Sequence, residues 1–258
     1  MHIAVVGPGR AGRTFHQRLI ARGLEASLGR LVPPPHEAGT VILAVPDRAV
    51  AEVAAAVADE VWLGTLSGAT PLAVLGPSPR RFVLHPLQTL TGAGAHELDD
   101  VPACITGAGP EAERVATDLA VRLGLRPVPV PESARPLPHV AAVLAGNALA
   151  APLAAARRAL AAAGLDEWAG ELLGALAHRS VDVALAADAD GRPTGPVARG
   201  DDGTVRLHLA ALRRHAPELL HVYRTSALLT AALVGGPAAD RVMPLLEADP
   251  PVAVPVAS

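Results

Sequence analysis

Lysine is absent from this chain of 258 residues, and all 22 of its basic residues are arginine. Every mechanism that needs a lysine amine is therefore excluded. Aromatic residues make up only 2%, although half of the chain is apolar, so a core has to be built from Ala, Val and Leu. The one cysteine, Cys104, rules out an intramolecular disulfide framework; it reads as a buried thiol in a reduced compartment, and a cytoplasmic location is expected. The formal net charge of −3 and a pI near 6.4 give no basic footprint, which excludes nucleic acid as an expected partner. No basic region leads into an apolar segment at the N-terminus, so no signal peptide is expected. The apolar stretch Val140–Ala163 is mostly alanine and contains Asn147, Pro152, Arg157 and Arg158. It reads as buried helices of a soluble domain, with no membrane partner.

What the chain does have begins at its first residues. His2–Val6 is a short apolar run suited to a strand buried on both faces, and Gly7, Gly9 and Gly12 follow it in G-x-G-x-x-G spacing. A helical pattern comes next, with Ala11, Phe15, Leu19 and Ile20 on one face. Strand, glycine turn and helix in this order read as a dinucleotide site. Gly7 permits the tight turn, Gly9 lets the backbone approach a pyrophosphate, and Gly12 lets helix and strand pack closely. The helix N-terminus, from Arg10 and Ala11 on, offers its N–H groups to the phosphates.

Further strands are expected at Leu24–Leu28, Thr40–Val45, Val61–Leu66, Arg81–Leu84, Pro102–Thr106 and Pro127–Val130, with helices from Asp47 to Ala58 and over Pro110–Leu123. This alternation predicts an α/β fold with a doubly wound, mainly parallel sheet. The prolines at 127, 129, 131, 136 and 138 end the rhythm, and no convincing strand follows them. The predicted domains are 1–131, which binds the dinucleotide, and 132–258, an all-α domain for substrate and dimerisation. Its helices are expected over His139–Ala163, Asp166–Ala187, Thr204–Arg214 and Pro217–Val234, around a glycine-rich loop at Asp188–Gly203. The Pro33-Pro34-Pro35 run reads as a crossing loop, and the tail after Asp249 as disordered.

In an open α/β sheet ligands bind beyond the carboxyl ends of the strands. There the sequence places Gly7-Pro8-Gly9, Gly29-Arg30, Val45-Pro46-Asp47, Ser67-Gly68 and His85-Pro86. Arg30 stands where an NAD site would carry Asp or Glu for the ribose 2′-hydroxyl, and a guanidinium suits a 2′-phosphate, so NADP is the expected cofactor. Asp47 reads as a helix cap. Ser67 is either a hydrogen-bond partner of substrate or nicotinamide or a plain turn serine. His85 follows an apolar strand and has a pKa suited to proton transfer near neutrality. In the helical half, His139 and Asn147 share roughly one side of a helix. Asn147 binds substrate or satisfies a helix–helix contact, and Gly195–Asp201 is a structured turn or a substrate loop. Arg135 and Arg199 are the candidate anchors for an acidic substrate.

At these residues the chain resembles Rossmann-like oxidoreductases with a C-terminal helical domain, in the wider 6-phosphogluconate dehydrogenase-like superfamily. The resemblance rests on Gly7–Gly12, Ala44-Val45-Pro46-Asp47, Ser67-Gly68, His85-Pro86-Leu87-Gln88, His139 with Asn147, and Gly195–Asp201 with Thr204-Val205 and His208-Leu209. Some relatives are similar to ketopantoate reductases; more distant ones include prephenate dehydrogenases, pyrroline-carboxylate reductases and imine reductases. Ser67-Gly68 resembles the substrate loop of hydroxyacid dehydrogenases, and His85-Pro86 the His-Pro of prephenate dehydrogenases, whose histidine is catalytic. Where many relatives carry lysine one helical turn before the asparagine, this chain has Val143 before Asn147. The resemblance implies an NADP-dependent reductase of a small 2-oxo acid or imine, with His85, Ser67, His139 and Asn147 at the reacting centre. The helices after Pro131 carry Ala and Leu on so many faces that a homodimer formed mainly through this domain is expected. A catalytically idle dinucleotide-binding or sensor protein with the same fold is the alternative.

Overall fold

Ile3–Val6 (β1) is four apolar residues, all buried. Their side chains alternate between two cores: Ile3 and Val5 join Phe15, Leu19, Ile42, Phe82 and Leu84, while Ala4 and Val6 join Val41, Leu43, Val50 and Leu63. That double burial is why the strand reads as an unbroken apolar run rather than an alternating one. The computed structural model describes residues 2–32, 37–186 and 193–247. The triple-proline loop, the centre of the loop at 188–203 and the tail after Asp249 therefore lie wholly or partly outside the described residues.

Six further strands join β1: β2 (Ala26–Gly29), β3 (Thr40–Leu43), β4 (Trp62–Thr65), β5 (Arg81–Pro86), β6 (Pro102–Gly107) and β7 (Arg126–Pro129). Their order is β2-β1-β3-β4-β5-β6-β7. Every neighbouring pair is parallel except β5 and β6, which run antiparallel with His85 opposite Cys104. The sheet is thus the mainly parallel, doubly wound one expected, and the chain reverses direction across it between β1 and β3. Helices α1 (Arg10–Ala21), α2 (Asp47–Ala54) and α3 (Pro110–Arg122) cover it. Cys104 is buried, as its composition suggested.

The chain divides into two compact units, Met1–Asn147 and Ala148–Ser258. Residues 132–147 carry α4 (Pro136–Ala142) and a single π-turn, Val143–Asn147. The proline rhythm groups them with the helical half, but their contacts group them with the sheet. Arg135 is buried and donates to the carbonyls of Ser67, Gly68 and Thr70, which holds this segment against the end of β4.

The second unit is helical: α5 (Ala148–Ala162), α6 (Ala169–Leu185), α7 (Pro196–Arg199), α8 (Asp202–His215), α9 (Leu220–Val234) and α10 (Gly236–Glu247). Val197, Val205, Leu209, Leu220, Ala231 and Val242 lie in its core. The sequence reading lacks α10, because Pro244 inside it disguises the apolar spacing. Burial of Val140–Ala163 is not borne out. No residue of α5 is buried, and Leu144 is 66% exposed. Glu132–Ala162 is long and apolar enough to cross a membrane by length and composition, with a mean hydropathy of 1.5 in its most apolar window. Alanine-rich helices present apolar surface on more sides than the folded chain covers.

Candidate functional site

The glycine turn is built by what its residues lack. A Cβ on Gly12 would lie 1.9 Å from the Gly7 carbonyl oxygen, so any side chain there would lift α1 off the turn. Gly7 has φ +117°, and a Cβ on it would lie 2.4 Å from the carbonyl oxygen of Ala44. A Cβ on Gly9 would meet nothing within 4 Å. The result is a groove of about 410 Å³ lined by Gly7, Pro8, Gly9, Arg30, Ala44, Val45 and Pro46. It sits between the carboxyl ends of β1 and β3, where the strand order reverses, the place that the topology of doubly wound sheets assigns to a ligand. Arg10 begins α1 and is exposed, as is Arg30 on the groove. No described side chain caps the N-terminus of α1, and its first turn carries no acid.

A second group of residues gathers beyond β4 and β5. Ser67 lies in the turn after β4, and its hydroxyl is fully occupied there. It donates to Thr70 Oγ1 and accepts from the N–H groups of Ala69 and Thr70. The turn is closed from behind by Arg135, whose guanidinium also pairs with Glu132 at 3.0 Å. Arg135 is therefore a staple of the Ser67–Thr70 turn, not a free anchor for an acidic substrate.

His85, at the end of β5, projects beside this turn. Its Nδ1 lies 2.8 Å from the Leu66 carbonyl oxygen. A carbonyl can only accept, so Nδ1 carries the hydrogen and Nε2 keeps a lone pair. Burial lowers the His85 pKa, and the fields of His139 and Arg135 add to that; the Leu66 hydrogen bond and Asp47 oppose it. That direction favours the uncharged ring. His139, on α4, packs edge-on against it with ring centroids 5.7 Å apart. Gly68 lies between them, with the position of a Cβ 2.6 Å from both His85 Nε2 and His139 Nδ1.

The two histidines open onto a cavity of about 490 Å³, which Gln88, Thr89 and Asn147 also line. Asn147 reaches it from the last position of the π-turn, an element common at functional sites. The structure thus brings His85, His139 and Asn147 together and leaves the Ser67 hydroxyl tied to its own turn. The π-turn and Thr89 were not legible in the sequence. Nor was Glu97, which accepts from Thr14, from both donors of Thr91 and from the Gly92 N–H. That carboxylate fastens the loop after β5 to α1, and its pKa is held at about 2 by those hydrogen bonds. In the second unit, Gly195–Asp201 forms a turn. Gly200 closes α7 with φ +65°, Arg241 donates to the Gly200 carbonyl, and Asp201 caps α8 through the Thr204 N–H and hydroxyl. Arg199 is exposed at its end.

Solved structures share this architecture. A protein from Bacteroides fragilis described as a candidate NADP oxidoreductase superposes with a TM-score of 0.74 at 19% identity, over 89% of this chain and 97% of its own. A protein from Thermotoga maritima gives 0.65 at 20% identity, over 90% and 98%. At such identities the likeness is one of fold, a dinucleotide-binding sheet followed by a helical region. No curated protein matches the chain significantly. The model of the family described as domain of unknown function (DUF2520) matches residues 101–230, from the start of β6 into α9. That is half of the chain, and the protein belongs to this family.

Proposed function

We propose that this protein is an NADP-dependent oxidoreductase acting on a small carbonyl or imine substrate. The observation that carries the reading is the groove at the β1–β3 reversal, where a bare glycine turn meets an uncapped helix N-terminus and Arg30. These residues fit a dinucleotide. The open space at Gly9 admits a pyrophosphate, the free N–H groups of α1 supply donors for it, and Val45 and Pro46 flank the path towards the next strand ends. No acid lines the groove, and the Arg30 guanidinium suits a 2′-phosphate. The cofactor, when bound, supplies or accepts the hydride; the protein has to manage the proton. His85 is the titratable side chain at the end of β5; its Nδ1 is held by Leu66, and it lines the cavity that His139 and Asn147 also line. Asn147 is proposed to orient the substrate from the π-turn.

A homodimer formed through the helical half is part of the proposal. Leu172, Leu176, Leu229 and Leu233 are each at least half exposed in the single chain, and a second copy would cover such surface. The enzymatic reading is tested by mixing the protein with NADPH and a panel of 2-oxo acids and cyclic imines, and with NADP⁺ and the corresponding hydroxy acids and amines. Turnover that is lost in His85→Asn is expected. Tight NADPH binding with no turnover across both panels would favour the idle binding protein instead.

A further inference from the structure

We infer that Thr89–Gly92, the segment that leaves the end of β5, walls the cofactor's path from the glycine turn to His85, and that Glu97 is the residue that positions this wall. The inference rests on the proposed dinucleotide-dependent function and adds to it a positioning residue outside both the glycine turn and the histidine cavity.

The segment reaches both places. At its start, Gln88 and Thr89 line the cavity with His85. At its end, Gly92 lies against the first residue of α1. A Cβ on Gly92 would stand 3.6 Å from the Arg10 Cα, and its φ of +85° suits glycine. Arg10 begins the helix whose N-terminus no described side chain caps. Thr89 and Gly92 are three residues apart, so these two places lie within roughly 11 Å of each other. Leu90, between them, packs against the main core and pins the middle.

A row of contacts along one side of α1 holds the segment there. Arg10, Thr14 and Arg18 recur every four residues and so share that side. Arg18 donates to the Ala95 and Leu98 carbonyls and pairs with Asp99. Thr14, fully buried, donates to one Glu97 oxygen at 2.7 Å. The same oxygen accepts from the Gly92 N–H, and the other accepts from the Thr91 N–H and hydroxyl. A single carboxylate thus ties the Thr91–Gly92 turn to α1. The short turn Ala95–Leu98 is clamped by Arg18 independently, so the rest of the loop stays docked when the Thr14 bond is lost.

A dinucleotide with its pyrophosphate on the α1 N-terminus and its nicotinamide at His85 has to run alongside these residues. The contacts fall on its nicotinamide half. Arg30 follows β2, which lies on the far side of β1 from β5, so the 2′-phosphate end is beyond the segment's reach.

That asymmetry supplies the test. Thr14→Val removes the hydroxyl and nearly keeps the buried volume. It should weaken NADPH by about tenfold, the scale of one hydrogen bond to a charged group. Adenosine 2′,5′-bisphosphate, which stops short of the nicotinamide half, should bind as it does to wild type. Thr14→Ser keeps the hydroxyl and should bind both ligands normally, and Glu97→Gln should show the same split as Thr14→Val from the loop side. Titration calorimetry reads the affinities, and thermal melting followed by circular dichroism checks the fold of each variant. Equal weakening of the two ligands in Thr14→Val and Glu97→Gln would show that the bond holds the glycine turn instead. Unchanged NADPH affinity would make Glu97 a scaffold residue only, and a Thr14→Ser as impaired as Thr14→Val would show that the hydroxyl is not what matters. Each of these results overturns the inference while the oxidoreductase reading stands. Wild-type protein that binds neither ligand would overturn that reading, and the inference with it.

Discussion

In the proposed function, cofactor choice rests on Arg30 and proton transfer on His85. Removing the Arg30 guanidinium should weaken NADPH by about 1.5–3 kcal/mol, the scale of hydrogen bonds to a charged group, and leave NADH nearly unchanged. Titration calorimetry of both cofactors against wild type and Arg30→Ala reads this directly, and equal losses would remove Arg30 from the 2′-phosphate site. At His85 the expected loss in kcat for His85→Asn is about 10²–10⁴, the range of acid–base catalysis, with NADPH affinity retained. Both residues were legible in the sequence because each follows an apolar run at a strand end, where topology dictates convergence. Ser67 was legible as a turn residue only. Its place after a strand suits a ligand contact and a self-capping turn equally, and Thr70, three residues on, decides between them. Arg135 was misread for a related reason: a lone arginine in a sequence shows its charge and not the three carbonyls that occupy it.

Two elements set the site's geometry. In α1, Gly12 determines how near the helix lies to β1, so Gly12→Ala should abolish dinucleotide binding and lower the melting temperature, the Cβ having nowhere to go. A variant that binds NADPH normally would show that the turn relaxes at no cost. The loop after β5 is the second element. Its anchor, Glu97, has a folded pKa of about 2 against an ordinary 4.5. A carboxylate with a depressed folded pKa contributes stability above its unfolded value and loses it as pH falls through the folded one. The Glu97 contribution should therefore be complete above about pH 4.5 and vanish as pH approaches 2. Protection of the Thr91 and Gly92 amides, taken as exchange relative to the unstructured rate at the same pH, should fall across that window in wild type and be low throughout in Glu97→Gln. No sequence period marks such a contact, since Thr14 and Glu97 stand 83 residues apart. The π-turn is hidden similarly, because one extra residue in a helical turn leaves an alanine-rich pattern unchanged.

At the scale of the whole molecule, the fold class was readable from alternation alone, whereas the amount of surface left uncovered was not. Apolar composition predicts burial only if the chain has enough structure to do the burying, and for α5 and α6, where Ala169 alone is buried, it does not. The apolar faces of α6 and α9 lead to the expectation of a dimer by light scattering at micromolar concentration; a monomer there would leave those faces to another partner. The account stands above all on one cofactor running from the Arg30 groove to the paired histidines. A crystal structure with NADP⁺ bound tests this. The expected result places the pyrophosphate on the Gly7–Gly12 turn, the 2′-phosphate on Arg30, and nicotinamide C4 beside His85, leaving room for a substrate carbon within roughly 3.5 Å of C4. A nicotinamide ring directed away from His85, or a pyrophosphate bound elsewhere than at the glycine turn, would contradict it.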